Sequence, residues 1–293
     1  MRPLFAWLFA PLFLFGFLAL ALWTTAQHPP YWLVALLVLA IALSFLAEVW
    51  LPYEPQWNRP RGDRLRDGLH ALFNETLNLV GIAAIPLAAA WIPNAGVWPH
   101  HWPLPLQLLL AILIADFGVT LMHYLSHRIE PLWRLHAVHH SVQRMYGFNG
   151  LMKHPLHQTV EALAGTAPLL LMGMPLPVAA LLAFAIALQL LLQHSNVDMR
   201  MGPLRHLFAW APVHRFHHMK YGRAGDVNFA LFFCFWDRLL GTAFHSDYRM
   251  GADDLGIGSR PNYPRDYLAQ IVEPFRHQPH GTSPKAPAGL RRA

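Results

Sequence analysis

Six apolar runs, and the polar stretches between them, set the organisation of the chain. Pro3 to Leu22, Tyr31 to Leu51, Leu69 to Trp91 and Leu104 to Met122 are each long enough for a bilayer core, which takes about 20 helical residues. Two further runs, Thr159 to Met172 and Leu176 to Gln193, flank Gly173-Met174-Pro175 and read as a helical hairpin. Its first arm is short and carries Pro168, the pattern of a segment that dips into the membrane. The runs predict an all-α integral membrane protein of four transmembrane helices plus a helical hairpin, capped by a cytoplasmic helical region. Ala19-Leu20-Ala21 imitates a signal-peptide cleavage site. The apolar core before it is longer than the roughly 7–15 residues of such signals, and its basic flank is Arg2 alone, so a retained first span is expected.

Composition agrees with this pattern. Of 293 residues, 55% are hydrophobic and 13% charged, about half the charge of an ordinary soluble domain. The basic residues orient the chain, because Lys and Arg collect on the cytoplasmic side of short loops. Arg59, Arg61, Arg64 and Arg66 lie between spans two and three, whereas 23–30 and 92–103 hold no Lys or Arg. An N-in start puts all 22 basic residues on the cytoplasmic side. Topology thus accounts for the net charge of +6, and no nucleic-acid partner is expected. Arg outnumbers Lys and no retrieval signal closes the sequence, which favours a bacterial inner membrane.

Three regions follow. Residues 1–103 form an N-terminal membrane region with a basic loop at 52–68, and 104–245 carry the candidate chemistry. Residues 246–293 are a cytoplasmic extension whose Pro- and Gly-rich tail from His277 is expected to be disordered.

Histidine supplies the candidate chemistry. The chain has 19, more than its 16 Asp and Glu together. His123 and His127, in HYLSH, lie four apart where the fourth span should emerge, so a helix places both on one face. His136, His139 and His140, in LHAVHH, fan across about 100° of an ideal helix, enough to serve two neighbouring metals. The same spacing recurs at His214, His217 and His218 in VHRFHH, and His194 in LQHSN returns to the same interface. These nine imidazoles exceed what one tetrahedral zinc could use, so two metals are the economical reading. Nitrogen ligands leave zinc, copper, nickel and iron open.

Other polar residues are candidates for a further ligand or for orienting the imidazoles through their second N–H. They are His154 and His157 in KHPLH, Asn196, and Asp116, Asp226, Asn228 and Asp237. For Asp116 a helix–helix polar contact is an equal alternative, as is a turn cap for Asp237. Phe229, Phe232, Phe233, Phe235 and Trp236 read either as the lining of a lipid path or as interface anchors. His28, His70, His100, His101, His206, His245, His277 and His280 stand outside the pattern.

From Asp116 to Phe244, the ordered segments DFGVTLMHYLSH, PLWRLHAVHHSV, KHPLH, QHSN, VHRFHH and DVNFALFFCFWDRLLGT resemble the fatty acid hydroxylase and sterol desaturase superfamily. That family carries boxes of the forms HxxxH, HxxHH and HxxHH. The resemblance implies a non-haem di-iron centre held by the nine histidines, with dioxygen as co-substrate and a lipid (fatty acyl, sterol or related) that is hydroxylated or desaturated. Position 124 is Tyr where many relatives have Arg, which leaves the lipid class open. No Rossmann glycine fingerprint, CxxCH haem attachment or cysteine set for an iron–sulfur cluster is present, and Cys234 is the single cysteine. An external ferredoxin, cytochrome or flavoprotein reductase is therefore expected to supply electrons. The competing classes are a polytopic metal-binding or metal-transport protein and a zinc-dependent membrane hydrolase. Transport would place the ligands at mid-membrane, and the sequence contains no HExxH.

Overall fold

The computed structural model describes residues 2–29, 31–91, 95–277 and 281–290. Its long helices are α1 (Arg2–Gln27), α2 (Tyr31–Trp50), α3 (Arg64–Trp91), α4 (Leu104–Ser126), α6 (Pro155–Met172) and α7 (Leu176–Gln193), with α5 (Glu130–His140) between α4 and α6. Short helices α8 (Ala211–His214), α9 (Phe235–Leu239) and α10 (Tyr267–Val272), joined by 3-10 turns, build the rest of the cap. Among the described residues there is no strand, only three isolated bridges. The chain is an all-α membrane protein.

Four helices are long and apolar enough to cross a membrane: α1, α2, α4 and α7. The set differs by one member from the four single spans expected. α7 belongs to it, whereas α3, expected as a span over Leu69 to Trp91, carries Asp67, His70, Asn74, Glu75 and Asn78 in its first half. Asp67, His70 and Asn74 are buried there and bind the cap rather than lipid. The hairpin forms as expected. Gly173 adopts φ +90 at the end of α6, and the Met174 N–H closes the helix on the Leu169 carbonyl, a left-handed cap that glycine makes without steric penalty.

Small residues set the tightest helix crossing. A Cβ at Gly118 of α4 would lie 2.1 Å from the Ala164 carbonyl oxygen of α6, so any side chain there would force the two helices apart. This contact fixes the ends of α4 and α6, and with them His123, His127 and His157. α7 lies innermost, with 67% of its apolar window buried, and packs against α1, α2 and α4. Outward residues such as Leu12, Val34, Val38 and Leu46 are exposed and form a lipid-facing surface.

Three helix ends meet beside the cap. The Arg200 N–H donates to Ala6 near the start of α1, and the Asp198 N–H donates to Leu51 just past α2. Both residues follow α7, whose last turn leads into His194. At the opposite end, the Ala95 N–H donates to Leu171 and the Trp98 indole to Gln107.

The tail differs from the disorder that its composition suggests. Residues 278–280 and 291–293 lie outside the described residues, but 281–290 run against the cap. Leu290 is buried with Trp57, Met145 and Met250, an apolar anchor that a Pro- and Gly-rich average conceals.

Candidate metal centre

Helix geometry carries the first six residues of the site. α4 is long enough to bring His123 and His127 past the apolar bundle, and α5 then turns back with His136, His139 and His140 on its last turns. α7 delivers His194 at its C-terminal cap. The second HxxHH segment is not one continuous α-helix. His214 ends α8 and His217 and His218 lie in the following 3-10 turn, whose tighter winding redirects the rings.

All nine histidines converge in two adjoining groups. His123, His127, His136, His140 and His217 form one, and His139, His194, His214 and His218 the other, with the ligand atoms of each group within 4.8 Å of one another. The two HxxHH segments interlock. Each gives its outer i, i+4 pair to one group and its middle histidine to the other.

Hydrogen bonding decides which nitrogen is available in six of the nine rings. Nδ1–H donates to the carbonyl of Phe229 from His123, of Val227 from His217 and of Asn228 from His214, at 2.8, 2.8 and 3.2 Å. His139 donates likewise to Met152, His194 to Leu190, and His127 to the Asp226 carboxylate. An oxygen that only accepts places the proton on Nδ1, so in the neutral ring Nε2 carries a lone pair. Yet Nε2 of His123 lies 2.8 Å from Nε2 of His217, and His139 Nε2 lies 3.3 Å from His194 Nε2. His127 and His136 each approach His140 Nε2 at 3.1 Å, and His214 approaches His218 at 3.2 Å. In the His123–His217 and His139–His194 pairs both Nδ1 protons are held by carbonyls, so two Nε2 lone pairs face each other, and these repel unless a cation lies between them. With metal–nitrogen bonds of about 2.1 Å, neighbouring ligands sit roughly 3.0–3.4 Å apart, which is the spacing of these rings. The donor set therefore fits two metal ions.

Burial keeps the rings in their binding form. Outside the spans, His127, His136, His139, His140, His214, His217 and His218 are held well below the ordinary imidazole value by desolvation, reinforced by their neighbours. His194 is pushed down to about 3 by the same cause. All are neutral at pH 7, with lone pairs free for metal.

Two carboxylates anchor the loop that orients three of the rings. Asp237 accepts from the Phe229 and Ala230 N–H groups at 2.7 and 3.0 Å. Asp116, inside α4, accepts from the N–H groups of Leu231, Phe232 and Phe233 and from the Trp236 indole. Neither touches an imidazole. Each holds the backbone of 229–233, and Asp116 makes both a helix–loop clamp and, through the Trp236 indole of α9, the helix–helix contact expected as its alternative. Asn228 sits at φ +54, a left-handed conformation that Asn tolerates better than most residues, and its side chain ties Val213 to Phe244. Asp226 binds His127 directly and pairs with Arg128.

Other candidates have different places. His154 caps α6 by accepting from the Leu156 N–H and faces the Ile271 carbonyl through its other nitrogen, which leaves it no lone pair for a metal. Asn196 links Glu54 and Asn58, away from the rings. His157 lies against His136, ring centres 4.5 Å apart, and bonds Ser126. Phe229 is fully buried against His123, His127 and His217, so it walls the centre rather than a membrane path. Of the histidines outside the pattern, His280 lies outside the described residues, and His70 is buried between Lys153 and Gln270.

Glu161 was not among the sequence candidates. It is buried in α6, bonded to the Lys153 ammonium and 3.7 Å from His157. Its spacing of four from His157 was the available signal, obscured by its position inside an apolar run.

A cleft of about 270 Å³ opens onto the centre between Trp133 and Lys220, and His127, His140 and His217 line it. A larger cleft of about 720 Å³ adjoins it, sharing Lys220, Gly256, Ile257 and Gly258.

A membrane-embedded helical bundle capped by two histidine clusters of this kind has the donor set of a membrane metalloprotein, and similarity to known proteins narrows the class. The family profile described as Fatty acid hydroxylase matches residues 108–242. Ornithine lipid hydroxylase OlsE of Rhizobium tropici is 36% identical over 255 residues, covering 83% of this chain and 76% of that one. Alkylglycerol monooxygenase of Homo sapiens is 28% identical over 50% of this chain and 34% of its own length. Sphinganine C4-monooxygenase 2 of Arabidopsis thaliana is 29% identical over 46% of this chain and 53% of its own length. No solved structure matches the chain. The chain belongs to the fatty acid hydroxylase family, and it is a lipid-oxidising membrane oxidoreductase.

Proposed function

We propose that this chain is a di-iron lipid hydroxylase that uses dioxygen and electrons from a separate carrier. One observation carries the metal assignment: His123 faces His217, and His139 faces His194, through Nε2 while backbone carbonyls hold all four Nδ1 protons. His123, His127, His136, His140 and His217 would hold one iron, and His139, His194, His214 and His218 the other. Two bound irons would supply the electrons and the oxygen activation needed to remove hydrogen from an unactivated C–H bond. The chain's own residues do the rest. The carbonyls of 227–229 orient three rings, Phe229 excludes water beside them, and the neutral imidazoles keep the ligand set intact at pH 7.

Hydroxylation is preferred to desaturation, because the relatives are named hydroxylases and monooxygenases. A relative matched over 76% of its length is named for ornithine lipid, so ornithine lipid is the first substrate to test. The inner-membrane, N-in orientation is supported by the position of Arg2, α2's end, His127 and His194 beside the cap, while 95–103 and 173–175 lie at the other end without a Lys or Arg.

The test is expression in a bacterium that makes ornithine lipid, with lipid analysis by mass spectrometry. A product heavier by one oxygen atom, absent from a His139→Ala strain, is expected. Unchanged lipids with iron-loaded protein in the membrane would overturn the substrate assignment, and a product two hydrogens lighter would reassign the reaction to desaturation.

A further inference from the structure

Hydroxylation balances as RH + O2 + 2 e− + 2 H+ → ROH + H2O, so each turnover draws two electrons from outside a chain that carries no redox motif besides its histidines. The reductant must reach the centre somewhere, and the two histidine clusters differ in access. His127, His140 and His217 of the five-histidine cluster line the 270 Å³ cleft, whereas none of the four-histidine cluster lines it or its neighbour. Trp133 forms one wall of that cleft. Its ring centre lies 5.0 Å from that of His127 and 5.4 Å from that of His140, and the residue is half-buried, so it connects the surface to two ligands.

The surroundings select the kind of partner. The two clefts together are lined by six Lys or Arg against four Asp or Glu. Most of these cations are paired within the protein, but Lys220 at the junction and Arg265 on the outer wall make no ion pair among the described residues. A lining this polar does not suit a hydrocarbon chain. It suits an acidic protein surface, drawn by long-range attraction that salt screens.

We propose that an acidic one-electron carrier protein, of the iron–sulfur or haem class, docks over these joined clefts and passes its electrons across Trp133 to His127 and His140. The inference rests on the di-iron reading above. In each of two encounters the reduced carrier would lose one electron, which a metal held by the five-histidine cluster would accept.

Full-length, iron-loaded protein in nanodiscs tests this, with a plant-type [2Fe–2S] ferredoxin as the acidic probe. Binding is measured against salt, and electron transfer by anaerobic stopped flow, with dithionite as a small reductant that needs no docking. Lys220→Glu with Arg265→Glu should weaken ferredoxin binding at low salt by about tenfold and leave dithionite reduction unchanged. Trp133→Leu should leave binding unchanged and slow transfer from ferredoxin about tenfold, with Trp133→Phe recovering most of the rate. Equal metal content in each variant separates these effects from misfolding. Unaltered binding in the charge-reversed protein, or an unaltered transfer rate in both Trp133 variants, overturns the proposal. If the charge reversal instead raises the KM for lipid and spares ferredoxin binding, the clefts hold the substrate's headgroup and the docking proposal fails. Wild type that holds no iron contradicts the di-iron reading, and the binding arm still judges the docking surface.

Discussion

The five-histidine and four-histidine clusters are built from the same motifs but differ in what surrounds them. The first takes pairs from α4 and α5 and one ring from the 3-10 turn, and three of its rings border a polar cleft. The second takes His194 from the innermost helix, and its four residues are buried. On the proposed function this contrast divides labour: the cleft-side cluster meets reactants, and the enclosed one ties the metal centre to the bundle. A symmetric pair of sites would have neither property.

The contrast is broken most forcefully at the ligands. His194→Ala should empty the four-histidine cluster, lower activity more than about a hundredfold and leave the other cluster metal-loaded, since outer partners alone are worth about 10–100-fold. Metal analysis beside a lipid assay checks it. Loss of both metals would show that the two clusters assemble as one unit.

Acid should produce the next largest effect. Burial holds the cap imidazoles far below their usual value, whereas in the unfolded chain they titrate near 6.5. As pH falls below that value the unfolded state binds protons that the fold refuses, so stability drops until the folded values are reached. Each such ring contributes about 1.4 kcal/mol per pH unit in that window. Melting of metal-free protein between pH 7.5 and 5 should therefore show a steep fall, and metal-loaded protein, whose lone pairs are occupied, should hold to lower pH.

Smaller changes separate the clusters. Asp237→Ala frees the Phe229 and Ala230 N–H groups and loosens the carbonyl that orients His123. It should weaken metal binding at the five-histidine cluster by about tenfold. Asp226→Asn keeps an acceptor oxygen for His127 and removes only the charge, so a decrease of a few-fold, confined to the same cluster, is expected. Competitive chelator titration reads both. An equal loss at the four-histidine cluster in either variant would remove the distinction.

Much of this centre was legible because recurring HxxHH spacing has little reason to arise by chance, and the six histidines it singled out converge with His123, His127 and His194. The helical fan of His136, His139 and His140 foreshadowed their division between two clusters. The allocation of His214, His217 and His218 was not legible, because a 3-10 turn replaces the α-helix and the sequence does not announce that change. Nor were the carbonyls of Val227, Asn228 and Phe229, since every residue has one and only the loop's path aims them. Asp116 was singled out to orient an imidazole or to make a helix–helix contact, and its bonds to the Phe232 and Phe233 N–H groups were not legible because they lie more than a hundred residues away in sequence. The cap contacts of α3 were not legible, because its polar first half was averaged into the same apolar run as its second.

The central claim is two irons held separately by the two clusters. Anaerobic purification in mild detergent, followed by metal counting by mass spectrometry on wild type, His139→Ala and His217→Ala, tests it most directly. The account requires two irons per chain in wild type, with iron lost in each variant. Zinc alone, a single metal, or metal content unaffected by both substitutions would contradict it.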